Sequence, residues 1–450
     1  MARLPSSIIQ RGSVDSKGVP VFAAGKHVLR SIHFRIWEIL DDRVFPFLAD
    51  IVEKGEERVC EGAMDIFIPF SAETQAGFYK AEAEMIRFGE RVARLPHSEY
   101  MKKTLLAIDA VFAVRMSHDI SLPPVPLIVA YDVAGWKYHD DVGRCLGASH
   151  LMFQLPEELC EVAVEAMHYM QALQWVAQIA KPGFEATPQT IERLNQILLY
   201  GKSSPMEAPG FRSAYLPHKK GASPASIPQK IEQLCAFCNG DYFSPLGQAS
   251  VIHHAFERVV PFDSMIDRTG LLFAFMPMFR RGLFADEFMV PICWGASLEK
   301  EYRRTLKDAS RDDPFQEKHR FYRERWAVYN VRNTYMAVVI ANMFLSKVDK
   351  LRRSWRNMGL KIPTNSAIDK LLDLFLAIPQ LATRHAASCI GKSYGATNDA
   401  LHQLVKAGIV KEIAIDNRER VFVCEQSAAL ITDFVRQLEE MGTAAVDIEE

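Results

Sequence analysis

Residues 253–270, HHAFERVVPFDSMIDRTG, gather two histidines, three carboxylates and two arginines around Pro261. Those residue types suit proton transfer and phosphate chemistry. A neutral imidazole accepts a proton near neutral pH, carboxylates hold Mg²⁺, and small residues let backbone N–H groups close round an anion at a helix start. Asp263 or Asp267 could hold a metal, and His253 or His254 could serve as a base. Plain helix and surface positions are the commoner meaning of such residues.

Composition bounds the answer. The chain has 450 residues, 49% hydrophobic and 24% charged, which is long enough for two or three domains with a sizeable core. Its 53 basic and 55 acidic side chains leave a formal charge of -2, so no global field draws it to nucleic acid or an anionic membrane. Of eight cysteines only Cys235 and Cys238 sit close, in LCAFCNG within an amphipathic run, and they read as small core residues rather than half a zinc site. The N-terminus lacks a signal-peptide apolar run, and YMAVVIANMFL at 335–345 is far short of a membrane span. The expectation is a cytoplasmic protein with free thiols and no membrane partner.

Apolar residues recur at three and four spacings in EMIRFGERV at 84–92, in EELCEVAVEAMHYMQALQWVAQIA from Glu157 and in TIERLNQILLYG from Thr190, so most of the chain reads as helix. Short extended pieces are expected in residues 1–70 and at Pro123–Val133. Loops fall at 181–183, 203–210 and 218–228, and LKIPTNSA at 360–367 sets off a C-terminal unit.

The stretch 245–271 resembles the signature of the Fic (Fido) family, whose members move AMP from ATP onto a protein hydroxyl. The family pattern is His-x-x-Phe-Glu at a helix end, then His-Pro-Phe-x-Asp/Glu-Gly-Asn-Gly/Lys-Arg-x-x-Arg. His253, Phe256, Glu257, Pro261 and Phe262 stand in register with this pattern, and Arg268, Thr269 and Gly270 survive beyond them. FYKAEAEMIRFGERV at 78–92 resembles the family's opening helix. APGFRSAYLPHKKGASPASIP at 208–228 resembles the turn, with Phe211 and Arg212, that leads into a flap where a protein target docks as an added strand. The departures are what matter. The resemblance puts the base at Val260, the metal carboxylate at Ser264, its amide neighbour at Ile266, the two phosphate-loop small residues at Met265 and Asp267, and the second arginine at Leu271. It also likens Ala107–Ile120 to the family's inhibitory helix, with Ser117 in place of the glutamate.

Residues 363–425 resemble the winged helix-turn-helix carried by many Fic proteins. SAIDKLLDLFLAIP is the first helix, TRHAASCIG the second, ATNDALHQLVKAG the third, starting at Thr397 and stopping at Gly408, and KEIAIDNRERVFVCE a wing. A DNA-binding version would read bases with Ser393, Thr397, Asn398, His402 and Gln403 and hold phosphates with Arg418 and Arg420. The unit carries seven Lys/Arg and seven Asp/Glu, which argues against strong nonspecific binding. The preceding SKVDKLRRSWRNMGLK has six bases and one acid, a phosphate support or simply a solvated face.

The reading is therefore a mainly α chain with a Fic/Fido helical fold and a C-terminal winged helix. Its parts are 1–70, 71–200 with an insertion near 121–155, the core 201–345, a basic helical linker 346–362, the winged helix 363–425 and a helix with acidic tail at 426–450. The expected function is a catalytically degenerate regulator, DNA-associated and homodimeric, with no cofactor or metal site. The alternative is an adenylyltransferase using non-standard residues, which would need ATP and Mg²⁺.

Overall fold

The computed structural model describes residues 70–95, 98–115, 157–217, 221–242, 244–284, 299–309, 317–414 and 420–443. The chain divides into two units, residues 1–63 and 64–450, and every described residue lies in the second. The extended pieces expected in residues 1–70 and at 123–133, the insertion near 121–155, Ser117 and Arg418 fall outside the described residues, apart from Phe70 itself.

Nine α-helices precede the C-terminal unit among the described residues: α1 (Ala72–Ala93), α2 (Ser98–Arg115), α3 (Glu157–Ile179), α4 (Pro188–Tyr200), α5 (Ile227–Asn239), α6 (Pro245–Val259), α7 (Ile266–Arg280), α8 (Glu299–Ala309) and α9 (Glu317–Arg356). At the centre lies the α6–α7 pair. Every position of α7 from Arg268 to Phe279 is buried, as a helix that is apolar on nearly all sides must be. Gly270 lets the two helices touch, because a Cβ there would stand 2.7 Å from Phe256 Cδ1. That packing gives Gly270 a purpose with no phosphate in it.

Local chemistry fixes where the central helices begin. Ser244 caps α6 by accepting from the Gly247 N–H at 3.1 Å, Pro245 follows at the first position, and Glu82 of α1 accepts from the Leu246 N–H at 2.7 Å. Burial pushes the Glu82 carboxyl above its ordinary range, while that hydrogen bond pulls the other way. Thr187 and Thr190 form a reciprocal cap on α4, with Pro188 at its start. Cys235 and Cys238 are buried free thiols in α5, and burial pushes Cys235 up to about 12, as expected of inert core residues.

The basic stretch at 346–362 is not a separate linker in its first part, because α9 continues to Arg356 as one 40-residue helix. Beyond it come α10 (Ala367–Ala377), β1 (Gln380–Ala382), α11 (Thr383–Ile390), α12 (Tyr394–Lys406), β2 (Lys411–Ala414), β3 (Arg420–Val423) and α13 (Glu425–Thr443). The strands form an antiparallel sheet in the order β1-β3-β2, with Leu381 opposite Phe422 and Glu412 on the other side of Phe422. This unit is tied down on two sides. Thr104 of α2 donates to the Ala377 carbonyl at 2.9 Å, and Tyr100 donates to that of Cys389. Arg352 pairs with Asp373 at 2.5 Å, Arg356 with Asp369, and Lys347 with Asp433 at 2.5 Å, while Trp355 donates to Gln426 at 2.7 Å. Part of the basic run thus docks the unit, through Lys347, Arg352 and Arg356, while Lys350, Arg353 and Lys361 remain exposed.

Candidate functional site: the loop between α6 and α7

Helix α6 ends where Val260 turns into the left-handed region at φ 52°, its N–H still donating to the Phe256 carbonyl at 3.1 Å. A β-branched residue there is a real outlier, and such a conformation costs about 1–3 kcal/mol. Arg212 holds it. Buried to 6% exposure, this side chain donates to the carbonyls of Val260 at 2.6 Å, Ala214 at 2.7 Å and Ala222 at 2.5 Å. Backbone bonds Arg212 N–H to Pro261 O at 2.9 Å and Ala222 N–H to Val259 O at 3.2 Å complete the clasp. Gly221 approaches so closely that a Cβ on it would lie 2.7 Å from Val260 Cβ.

The loop continues with Phe262, buried against Phe211 with ring centroids 5.4 Å apart, and then the exposed Asp263 and Ser264. Met265 is a second left-handed residue, at φ 56°. Asn195 of α4 ties the loop to the next helix by donating to the Ser264 carbonyl at 3.1 Å and to Thr269 Oγ1 at 3.0 Å. Thr269 in turn donates to the Met265 carbonyl at 2.7 Å.

The first turn of α7 is occupied from within. Ile266 is buried at 7% exposure and Met265 packs on the same core. Asp267 lies in the first turn, where its carboxylate already compensates the helix dipole. Arg268, 4% exposed, pairs with Glu165 of α3 at 2.9 Å, and Leu271 is buried. One turn further along α3, His168 gives its Nδ1 to the Leu198 carbonyl at 3.3 Å; burial holds its pKa below the ordinary value and keeps the ring neutral.

The two histidines before the loop are not surface groups. His253 and His254 are buried, at 5% and 4% exposure. His253 Nε2 meets the Tyr302 hydroxyl at 3.0 Å, and its ring stands edge-on to Trp326. Burial pushes the His253 pKa down to about 4, against a smaller upward pull from Asp267. It is a core histidine rather than a substitute base. Among the described residues, no group of three His, Cys, Asp or Glu side chains could hold a metal ion.

In the C-terminal unit the expected base-reading set divides. Ser393 is the N-cap of α12, accepting from the Ala396 N–H at 3.3 Å, so the helix starts at Tyr394 rather than Thr397. Thr397 lies one turn in, fully buried, with its hydroxyl on the Ser393 carbonyl at 2.9 Å, and cannot reach a base edge. Asn398 and His402 are half-buried, and Gln403 and Arg420 are exposed.

Three groups with a part here were not picked out in the sequence: Glu165, Asn195 and His168. The signal existed for two of them. Asn195 shares the buried stripe Ile191, Leu194 and Leu198 of α4, and Glu165 the stripe Tyr169, Ala172 and Val176 of α3. A polar residue on a helix's apolar stripe announces a partner across the interface.

The chain is similar in structure to residues 134–508 of Fic-1 from C. elegans, at 17% identity and a TM-score of 0.39 over 60% of this chain and 74% of that one. It is also similar to a Fic family protein from Desulfovibrio desulfuricans G20, at 12% identity and a TM-score of 0.41 over 79% of this chain and 98% of that one. No family model and no curated protein matches the sequence. No helix among the described residues is long and apolar enough to cross a membrane.

Proposed function

We propose that this chain is a Fic-like protein that has lost nucleotide transfer and works as a regulatory binding module, a cytoplasmic homodimer associated with DNA through a C-terminal winged helix. The observation that carries the first half is the state of the α6–α7 loop. Its left-handed turn is fixed by Arg212 around a valine, Met265 and Ile266 pack inward where a phosphate loop needs room, and Arg268 is engaged by Glu165. Transfer of a phosphoryl-linked group is almost wholly positioning and charge stabilisation. A loop with its helix start compensated by Asp267 and its buried guanidinium already paired supplies neither.

Calorimetry with ATP and Mg²⁺ tests this half. No binding is expected up to millimolar nucleotide, and binding in the micromolar range would return the chain to the adenylyltransferases. The DNA half is supported by the three helices, the paired strands and the exposed Gln403 and Arg420. Selection from a random duplex library should return a palindrome, because a two-fold dimer reads two half-sites. A selection that stays at background in low salt makes the unit a protein-contact module.

A further inference from the structure

One carboxylate sits between the two elements that would touch a duplex. Glu412 on β2 places Oε1 3.0 Å from Arg420 Nη1 on β3 and Oε2 3.6 Å from His402 Nδ1 on α12. The arginine is well exposed, the glutamate and histidine partly so, and the His402 ring stands edge-on to the buried Phe422. Arg420 and His402 belong to different elements, the wing strand and the third helix, yet they meet the same anion. A side-chain carboxylate thus occupies the position between them that another oxyanion can fill, bonded to the arginine and 3.6 Å from the imidazole.

An exposed ion pair of this kind contributes about 0–1 kcal/mol to the fold, so losing it costs little stability. Its effect on an incoming polyanion is larger in kind. A phosphate that pairs with Arg420 must displace Glu412 from Nη1 or share the guanidinium with it, and in either case the carboxylate opposes the backbone's charge. The unit's equal count of seven bases and seven acids is thus not spread evenly, since this acid lies on the wing's own cation.

Resting on the DNA reading above, we infer that Glu412 is an internal competitor of nucleic-acid phosphate, which masks the Arg420–His402 pair and sets how weakly the unit grips a duplex of arbitrary sequence. Site recognition then depends on base contacts that offset the displacement, and nonspecific binding is held down.

The test is fluorescence anisotropy of the full chain with a labelled duplex of random sequence, comparing wild type, Glu412→Gln, Arg420→Ala and the double variant across a salt series. Glutamine keeps the shape and a hydrogen bond, and circular dichroism checks that it folds. Glu412→Gln should bind more tightly. One further phosphate contact should steepen the slope of log K against log salt by about 0.9, so its advantage over wild type falls roughly threefold between about 50 and 200 mM salt. Arg420→Ala should cost more in the Glu412→Gln background than in wild type. Binding seen only in Glu412→Gln also supports the inference. If wild type binds and Glu412→Gln binds no better, or the two substitutions are additive, Glu412 is a strut and the inference is wrong while the DNA reading stands. If neither protein binds at low salt, the DNA reading falls and takes the inference with it.

Discussion

Replacing Arg212 with methionine keeps an unbranched apolar stem and removes all three donors that hold the α6–α7 loop. The carbonyl of Val260 is buried, so its loss counts almost in full, about 1–3 kcal/mol. Those of Ala214 and Ala222 are part-buried and regain water, leaving about 0.5 kcal/mol each. A middle value near 3 kcal/mol is comparable to the strain of about 1–3 kcal/mol stored at Val260, which the clasp opposes. The loop should therefore open without the protein unfolding. Hydrogen exchange reads this at the amides of Ala222 and of residue 212, which donate to Val259 and Pro261. Both should exchange about 10²-fold faster, since each 1.4 kcal/mol is a factor of ten in an equilibrium. Exchange within a few-fold of wild type at both amides would mean that the strained turn is held by packing of Val260 and Phe262, and that the clasp argument is wrong.

Val260→His alone should leave self-labelling from ATP and Mg²⁺ at background. A general base is worth roughly 10²- to 10⁴-fold only on a bound substrate, and Met265, Ile266 and Asp267 still fill the loop. Labelling by the single variant would refute this, whereas restoring the family pattern with Ser264→Asp, Met265→Gly, Ile266→Asn, Asp267→Gly and Leu271→Arg as well is the change expected to yield activity. Buried neutral His253, with its pKa lowered to about 4, makes stability fall with acid: the unfolded chain takes up the proton near pH 6.5 and the folded one only near 4. The contribution is fully present above pH 6.5 and shrinks by roughly 3 kcal/mol down to pH 4, so the melting temperature of His253→Gln should decline less steeply across that window. Asp373→Asn breaks a charged hydrogen-bonded pair and should cost about 2 kcal/mol, since the part-exposed Arg352 regains water. Limited trypsin digestion should then cut faster between α9 and α10, and an unchanged rate would show that the docking relies on apolar contacts.

The long amphipathic helices could be read directly, because α1, α4 and α10 carry their apolar residues at helical spacing, while the caps at Ser71 and Thr187 lie outside the runs that read as helix from Phe78 and Thr190. The sequence pattern starts the third helix of the C-terminal unit at Thr397, three residues past its observed first residue, Tyr394. Two cap-forming residues, Ser393 and Thr397, stand four apart, and only tertiary burial of Thr397 decides between them. Strand β1, at three residues, is too short to show a period and exists because Gln380–Ala382 pairs with β3. At the loop, the residues to inspect could be found from the sequence. What holds them could not, since Arg212, Asn195 and Glu165 reach it from 48, 69 and 103 positions away, at Val260, Ser264 and Arg268.

The continuity of α9 into the C-terminal unit bears on how that unit can be moved between proteins. A fragment beginning near residue 363 would leave behind Trp355, which is 1% exposed and bonded to Gln426, together with Arg352 and Arg356, the partners of the buried Asp373 and Asp369. Two carboxylates would then lie uncompensated in a small domain, with the seat of an indole open beside them. The unit is thus no transplantable cassette. A graft onto another body has to take the last two turns of α9 with it, and the host inherits a rod whose direction is dictated by its cargo.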